Sequence, residues 1–252
     1  MASDGTVPSF AIVSLKKMAY EDTRWGGMQH TPGLIRTPRD TLVELIEIAY
    51  DVQKAQIRGA PEWAKSVRYD ISFAAPESTF AGPYHGEEQA RQMLQMLLAD
   101  RFKLAVHGES GDMTVAALVV APGGVAMNQS DHRAGDWQGI ELVPGRLVGQ
   151  AAPMTRLARI IALSTGQTVL DSTGLRGTYD FDAHWNAESA TLSSHRWEYE
   201  GTASPVTQQP GPVLPSFEAA LRQQLGLVLE PGKNRQVQLI VVDRVEQPLI
   251  VD

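Results

Sequence analysis

Two stretches of the sequence repeat the same order of structural signals, and this repetition constrains the fold more than any other feature. In the first stretch, residues 33–35 form a short apolar run that leads through a turn into residues 41–50. In the second, residues 145–148 lead through a similar turn into residues 155–163. Apolar residues recur at three- and four-residue spacing in both longer runs, so each stretch predicts a strand, a turn and an amphipathic helix.

Similar strands follow the two predicted helices. Residues 66–73 contain Tyr-Asp-Ile, and residues 177–185 contain Tyr-Asp-Phe at the same place in the order. Alternation along a strand places the aromatic ring on one face and the carboxylate on the other. At the helix starts, Asp40 and Thr155 have side chains that suit an N-cap, and we expect them to act as N-caps.

The second half of each stretch repeats as well. A helix at 87–100, the run 102–106 and a strand at 115–120 correspond to a helix at 216–225 and strands at 227–229 and 237–242. The sequence therefore predicts an α+β fold, made by tandem duplication of a strand-helix-strand-helix-strand-strand unit. Its helices pack on mixed or antiparallel sheets, either as two small domains or around one shared core.

This interpretation divides the chain into consecutive segments. Residues 1–32 are expected to hold an N-terminal strand and a loop, and residues 33–128 form the first repeat. Residues 129–144 form a connecting loop, and residues 145–252 form the second repeat. Residues 186–214 are rich in Ser, Thr, Gln and Pro, a composition that predicts a long surface loop within the second repeat.

Composition excludes several classes of partner and chemistry. The formal net charge of -7 argues against nucleic acid as a partner, because binding phosphates requires clustered positive charge. The chain has no cysteine, which excludes disulfides, thiolate metal sites and thiol nucleophiles. No apolar run approaches the roughly 20 residues of a membrane-spanning helix. The first residues also lack the pattern of a secretion signal.

Motifs for catalysis, metals and cofactors are missing or incomplete. Residues 171–174, Asp-Ser-Thr-Gly, resemble the Asp-Thr-Gly of aspartic proteases, but an extra residue separates Asp from Thr. We interpret them as a turn in which Asp171 or Thr173 bonds nearby backbone N–H groups and Gly174 takes positive φ. The six histidines show no metal-ligand spacing, and no nucleotide-binding glycine motif occurs. We therefore predict no catalytic centre, no metal and no cofactor.

A mixture of aromatic and hydrogen-bonding side chains marks the strongest candidate for a binding surface. Such mixtures favour recognition of peptides, glycans or small polar ligands, although a loop that only packs its tryptophans would have the same composition. An isolated tryptophan after Pro-Glu either fills the core or forms the wall of a pocket. The candidate ligand-binding residues are Trp63, Asp182, His184, Trp185, His195, Trp197 and Tyr199.

Several segments together resemble a domain family of unknown function known as the soil-associated protein family, which is expanded in soil bacteria and especially in acidobacteria. The segments that carry the resemblance are 10–16, 45–50, 59–63, 93–104, 169–181, 224–227 and 242–248. Members of that family typically begin with a secretion signal, and some are fused to membrane metallopeptidases of the antibiotic-sensor type. The resemblance therefore implies a periplasmic or secreted protein with a possible membrane-protein partner, and a cytoplasmic location is the alternative.

The sequence thus favours a non-enzymatic extracytoplasmic binding or sensor module for a protein or a small polar ligand. One alternative is an enzyme of the hydrolase type, with carboxylates and histidines that converge only in three dimensions. Another is a structural subunit of an envelope or membrane protein assembly. These hypotheses differ in what surrounds the candidate residues: a groove for binding, a deep acid/base cleft for catalysis, or an exposed apolar patch for assembly.

Overall fold

Strands and helices alternate along the computed structural model much as the sequence predicts. The structure describes residues 11–18, 29–31, 33–75, 87–131, 139–189 and 214–249. The strands are β1 (Ala11–Lys17), β2 (Gln29–Thr31), β3 (Leu34–Thr41), β4 (Ile57–Arg58), β5 (Arg68–Ala74), β6 (Ala105–Val120), β7 (Asn128–Gln129), β8 (Gly139–Val143), β9 (Arg146–Ala152), β10 (Val169–Asp171), β11 (Tyr179–His184) and β12 (Leu227–Arg244). The helices are α1 (Leu42–Tyr50), α2 (Trp63–Ser66), α3 (Glu87–Arg101), α4 (Met154–Thr165) and α5 (Phe217–Ala220). The α+β class is confirmed.

Short helical turns complete the described chain. Two are 3-10 turns, at Lys54–Gln56 and Ala187–Ser189, and one is a π-helical turn at Leu221–Leu225 that directly continues α5. None of the helices in the described part of the chain combines the length and the apolar character needed to cross a membrane.

Two compact units make up the chain. The first contains residues 1–111 and 236–252, and the second contains residues 112–235. These limits differ from the consecutive repeats at 33–128 and 145–252 that the sequence predicts. The difference arises because β6 and β12 are single long strands, each of which begins in the residue range of one unit and ends in that of the other.

An antiparallel sheet in the order β1-β5-β3-β2 forms one side of the first unit. Ile35 of β3 lies opposite Phe73 of β5, and both are fully buried beneath α1 and α3. This unit also contains residues 105–111 of β6, residues 236–244 of β12 and the whole of β4, which pairs in parallel with β12. The buried faces of both strand groups and of the two helices form the first hydrophobic core.

The second unit has an antiparallel sheet in the order β7-β11-β9-β8. Leu147 of β9 lies opposite Ala183 of β11, and both side chains are buried against α4, α5 and the π-helical turn. This unit also contains residues 112–120 of β6, residues 227–235 of β12 and the whole of β10, which pairs in parallel with β6. A second, separate hydrophobic core results.

The main sheets of the two units share one register and one irregularity. The glycines that open β3 and β9, Gly33 and Gly145, have φ of 81° and 83°. In both sheets the pairing shifts toward the end of the strand, and there Arg39 and Ala151 take left-handed conformations with φ of 61° and 46°. Left-handed backbone is uncommon outside glycine, so its recurrence at matched positions supports a duplicated unit. The duplication itself stays a prediction.

Helix α1 begins at a different residue from the one that the sequence predicts. Thr41, not Asp40, is the N-cap: its hydroxyl accepts a hydrogen bond from the Glu44 N–H, and the Glu44 carboxylate accepts from the Thr41 N–H at 2.7 Å. This capping box satisfies two of the N–H groups that a helix start leaves open. Asp40 is instead fully buried on β3.

The prediction for α4 is wrong in a similar way. The N-cap is Pro153, which makes no side-chain cap, and Thr155 lies inside the first turn of the helix. Proline suits this entry because its fixed φ and missing N–H cost nothing at a helix start. At its other end, α4 stops at Gly166 in the left-handed conformation, as α1 stops at Asp51.

Regions predicted as irregular contain additional strands. Within residues 1–32 the structure adds β2, and within the predicted connecting loop at 129–144 it adds β8, while β7 lies where the first repeat meets that loop. These three are edge strands of two to five residues, too short to give a clear alternating pattern in the sequence. The two strands expected after the helix at 216–225 are one continuous strand, β12.

Candidate functional site

The outer face of the β9–β11 pair carries the most concentrated group of charged side chains among the candidates. On β11, Tyr179, Phe181 and Ala183 point into the second core, so Asp182 and His184 point the other way. This alternation follows from the two-residue period of a strand. The register places Arg146 of β9 directly opposite His184 and diagonal to Asp182.

Arg146, Asp182 and His184 are connected through the Asp182 carboxylate. The Arg146 Nε donates to Asp182 Oδ1 at 3.0 Å, and Nη2 donates to Oδ2 at 2.7 Å. The His184 Nε2 lies 3.0 Å from Asp182 Oδ1. The three side chains are 44%, 45% and 47% exposed, so the group lies on an open surface. We call these three residues the β11 cluster.

Electrostatics within the β11 cluster favour the ionised forms of Asp182 and Arg146. The hydrogen bonds from Arg146 lower the pKa of Asp182 against the opposing effect of burial, and the charges of Arg146 and His184 lower it further. The same bonds raise the pKa of Arg146, to which the nearby Glu141 also contributes. Because the pair is nearly half exposed, water and salt screen it, and its effect on stability is small.

Gln224 holds the backbone at the end of β11. Its side-chain Oε1 accepts a hydrogen bond from the His184 N–H at 2.9 Å, and its Nε2 donates to the His184 carbonyl at 2.7 Å. A neighbouring strand would bond the N–H and C=O of one residue in the same way. The Gln224 side chain therefore occupies the place of a strand beside His184.

Asp182 and His184 were predicted from sequence, whereas Arg146 and Gln224 were not. Arg146 follows Gly145 at the start of β9, and only the cross-strand register reveals that it faces Asp182. Gln224 lies in the π-helical turn, 40 residues from His184 in sequence, and a glutamine in a helix gives no signal of an edge contact. Alternation along β11 was the signal available for the first two residues.

Trp185 lies in the core of the second unit. Its side chain is 2% exposed and packs edge-to-face against Phe217, with 5.1 Å between the ring centroids. It therefore contributes to packing and offers no surface to a ligand in this structure. Trp63, at the start of α2, is half-buried and packs on the core of the first unit. The candidates His195, Trp197 and Tyr199 lie outside the described residues.

The first unit contains a pair with the same geometry. Arg36 of β3 bonds both carboxylate oxygens of Asp70 of β5, with Nε at 3.1 Å and Nη2 at 2.5 Å. Arg36 lies opposite Ser72, and Asp70 is two residues from Ser72. In the same way Arg146 lies opposite His184, and Asp182 is two residues from His184. Lys16 of β1 lies opposite Asp70 on its other side, so the edge of β5 is covered by a strand.

The Asp-Ser-Thr-Gly segment is the turn that the sequence predicts. Asp171 Oδ1 accepts bonds from the Thr173 N–H at 2.9 Å and from its hydroxyl at 2.7 Å, and the Leu175 N–H donates to the Thr173 hydroxyl. Gly174 has φ of 68°. The Asp171 carboxylate therefore stabilises the turn through these hydrogen bonds.

Groups of side chains suited to a metal are absent from the described part of the chain, where no three or more His, Asp or Glu side chains converge.

One further His–carboxylate pair exists in the first unit, where His107 Nδ1 lies 2.8 Å from Asp243 Oδ1. Asp243, by hydrogen bond and charge, raises the pKa of His107, and Glu109 adds a smaller effect. Both side chains of this pair are about half exposed.

Comparison with known proteins identifies the family but not an activity. Residues 43–245 match the family described as Protein of unknown function (DUF3738). The chain belongs to this DUF3738 family. The match includes the second core, the first core apart from Ile35 and Leu42, and every residue of the β11 cluster together with Gln224. No curated protein and no solved structure matches this DUF3738 chain.

Proposed function

We propose that this chain is a non-enzymatic binding or sensor module that recognises a protein or a small polar ligand through the β11 cluster. The observation that carries the proposal is the exposed Arg146–Asp182–His184 arrangement. It presents a cation, a carboxylate and an imidazole side by side on an open sheet face. Arginine forks and imidazoles bind carboxylates and amides at such surfaces through directional hydrogen bonds.

The state of Asp182 supports binding over catalysis. Both carboxylate oxygens accept hydrogen bonds from Arg146, and the lowered pKa keeps the group ionised at neutral pH. A general acid needs a raised pKa, and a general base needs a free oxygen and a pKa near the working pH. The β11 cluster is also open to water, and water weakens the electrostatic stabilisation of transition-state charge that enzymes use.

The extracytoplasmic location is part of the proposal. It rests on the resemblance to the soil-associated protein family, whose members typically begin with a secretion signal. The absence of cysteine also suits an oxidising compartment, because free thiols react there. A membrane-protein partner follows from the same resemblance, since some members are fused to membrane metallopeptidases.

A comparison of two matched double variants on peptide and glycan arrays tests the function. Arg146→Ala/Asp182→Ala removes the β11 cluster, and Arg36→Ala/Asp70→Ala removes the pair of the same geometry in the first unit. We expect the wild type and the Arg36/Asp70 variant to share array signals that the Arg146/Asp182 variant loses. Equal signals from all three proteins would contradict the proposal.

The hydrolase alternative requires a separate measurement on the same proteins. Turnover of chromogenic esters, phosphates and peptides is measured for the wild type and for His184→Ala. The proposal predicts no turnover above buffer for either protein. Turnover by the wild type that His184→Ala abolishes would instead establish a catalytic site at the cluster.

A further inference from the structure

We infer that the partner recognised at the β11 cluster is a second copy of this chain, which binds through a sheet face of opposite charge in its first unit. The inference rests on the proposed function and names the protein partner for the same site. We call the outer side of β1, β5 and β3 the first-unit face. The outer side of β8, β9 and β11, which carries the β11 cluster, is the second-unit face.

The first-unit face carries an excess of positive charge. Alternation along β5 directs Asp70 outward, because its neighbours in the strand are buried. The register places Lys16 opposite Asp70, and the Arg36 side chain bonds Asp70 from β3, so all three lie on the outer side. Two cations against one carboxylate leave one positive charge. Farther along β5, Arg68 and Glu44 form an ion pair and cancel each other.

The second-unit face carries an excess of negative charge. Glu141 of β8 and Asp182 of β11 lie in one row across β9, and Asp180 shares their side of the sheet by alternation. Glu141 is near enough for its charge to raise the pKa of Arg146. Three carboxylates against one arginine leave two negative charges, with His184 counted as neutral.

The shapes of the two faces also suit each other. Both main sheets are antiparallel and share one register and one irregularity. Antiparallel sheets twist with one hand, and two twisted sheets pack face to face about 10 Å apart with their strands within about 30°. Each face has half-buried apolar side chains beside its charges: Leu34 opposite Ala74 in the first unit, and Val148 between Glu141 and Asp182 in the second. A contact between the faces would remove these apolar groups from water.

Local charge decides which faces meet. Two copies repel each other as whole molecules, because each has a net charge of -7. At physiological salt, however, exposed charges are screened beyond about 8 Å, so only the charges that face each other at the contact matter. Two first-unit faces would repel, and so would two second-unit faces. The contact therefore joins the first-unit face of one copy to the second-unit face of another.

Charge reversal, followed by sedimentation velocity of the full chain, tests the inference. Lys16→Glu makes the first-unit face negative by one charge, and Glu141→Lys/Asp182→Lys makes the second-unit face positive by two. Each variant alone opposes like charges, so we expect self-association at least about tenfold weaker than that of the wild type. In an equimolar mixture unlike faces of the two variants again carry opposite charges. Association of the mixture should return to within about threefold of the wild type.

Matched controls reverse a charge on the other side of each sheet. Lys17 is the next residue of β1, is exposed, and points to the opposite side by alternation. Glu218 is exposed on α5, a helix that packs against the inner side of the second sheet. We expect Lys17→Glu and Glu218→Lys to associate as the wild type does. Circular dichroism of every variant confirms that the chain is folded.

The outcomes separate this inference from the proposed function. A wild type that stays monomeric up to about 0.5 mM, where even weak contacts form, overturns self-recognition. Equal association of Lys16→Glu and Lys17→Glu, or a mixture that associates no more strongly than its two components, also overturns it. If self-association fails but Arg146→Ala/Asp182→Ala loses its array signals, the binding function stands with a different partner. If both fail, the proposed function fails as well.

Discussion

Trp185 and Phe217 pack edge-to-face in the second core, with an interplanar angle of 70°. Trp185 follows the last residue of β11, so this contact anchors the strand that carries Asp182 and His184. The aromatic pair thus fixes the backbone beneath the β11 cluster without taking part in it. The role of Trp185 is to position the surface.

The first prediction concerns this anchor. Trp185→Ala should lower the free energy of unfolding by about 3–5 kcal/mol, because it leaves a large cavity in a packed core. Trp185→Phe keeps an aromatic contact and should lose much less. Urea denaturation followed by circular dichroism measures both variants. A loss below about 1 kcal/mol for the alanine variant would contradict the burial described for Trp185.

The second prediction compares two glycines with the same backbone conformation. Gly226 and Gly166 both have φ of 69°, but a Cβ on Gly226 would collide with the backbone of Gly124, Val125 and Ala126, whereas one on Gly166 meets nothing within 4 Å. Gly166→Ala should cost about 1 kcal/mol of stability from left-handed strain alone. Gly226→Ala should cost about 2–4 kcal/mol, because overpacking is added. Equal losses in urea denaturation would argue against the tight approach at Gly226.

The third prediction concerns the pH dependence of the β11 cluster. Hydrogen bonds from Arg146 lower the pKa of Asp182, so the pair stabilises the fold above the ordinary carboxyl pKa of about 4. That contribution is lost as the pH falls through the lower pKa of the folded state. Arg146→Gln should raise the pKa of Asp182, whereas Arg36→Gln should leave it unchanged. Carbon-detected NMR titration of the carboxylates measures both effects, and an unchanged Asp182 pKa in Arg146→Gln would refute the pairing.

The fourth prediction concerns the His107–Asp243 pair, whose contribution to stability changes with pH in the opposite direction. Asp243 raises the pKa of His107 above its ordinary value of about 6.5, so the pair stabilises the fold below that value. The contribution disappears as the pH rises through the higher pKa of the folded state. Asp243→Asn should lower the pKa of His107 more than Glu109→Gln does. Proton NMR titration of the imidazole resonances measures the His107 pKa in both variants. A larger fall in Glu109→Gln than in Asp243→Asn would contradict the contact between His107 and Asp243.

The main elements of the fold could be predicted because local patterns specify them. Apolar spacing identified α1, α3 and α4, and the Tyr-Asp segments identified β5 and β11. The continuity of β6 could not be predicted, because its middle contains Gly108, Glu109 and Ser110, which are exposed and interrupt the apolar pattern. Such residues resemble a turn when only neighbours in sequence are considered.

The candidate site was predictable only where it follows from alternation along one strand. Asp182 and His184 share a face for that reason, whereas Trp185, the next residue, points into the core. Arg146 and Gln224 reach the cluster through pairing between strands and through the packing of the π-helical turn. Contacts of that kind depend on the register and on tertiary packing, which one sequence does not contain.

Amide hydrogen exchange, measured by NMR without any ligand, tests most directly whether the Gln224 side chain holds the backbone at the end of β11, where the β11 cluster lies. In the wild type the His184 amide should be protected, because its N–H donates to Gln224. Gln224→Ala should speed its exchange at least about tenfold, while Gln223→Ala leaves it unchanged and the Ala74 amide in the first unit keeps its rate in both variants. A His184 amide that stays equally protected in Gln224→Ala would contradict the account.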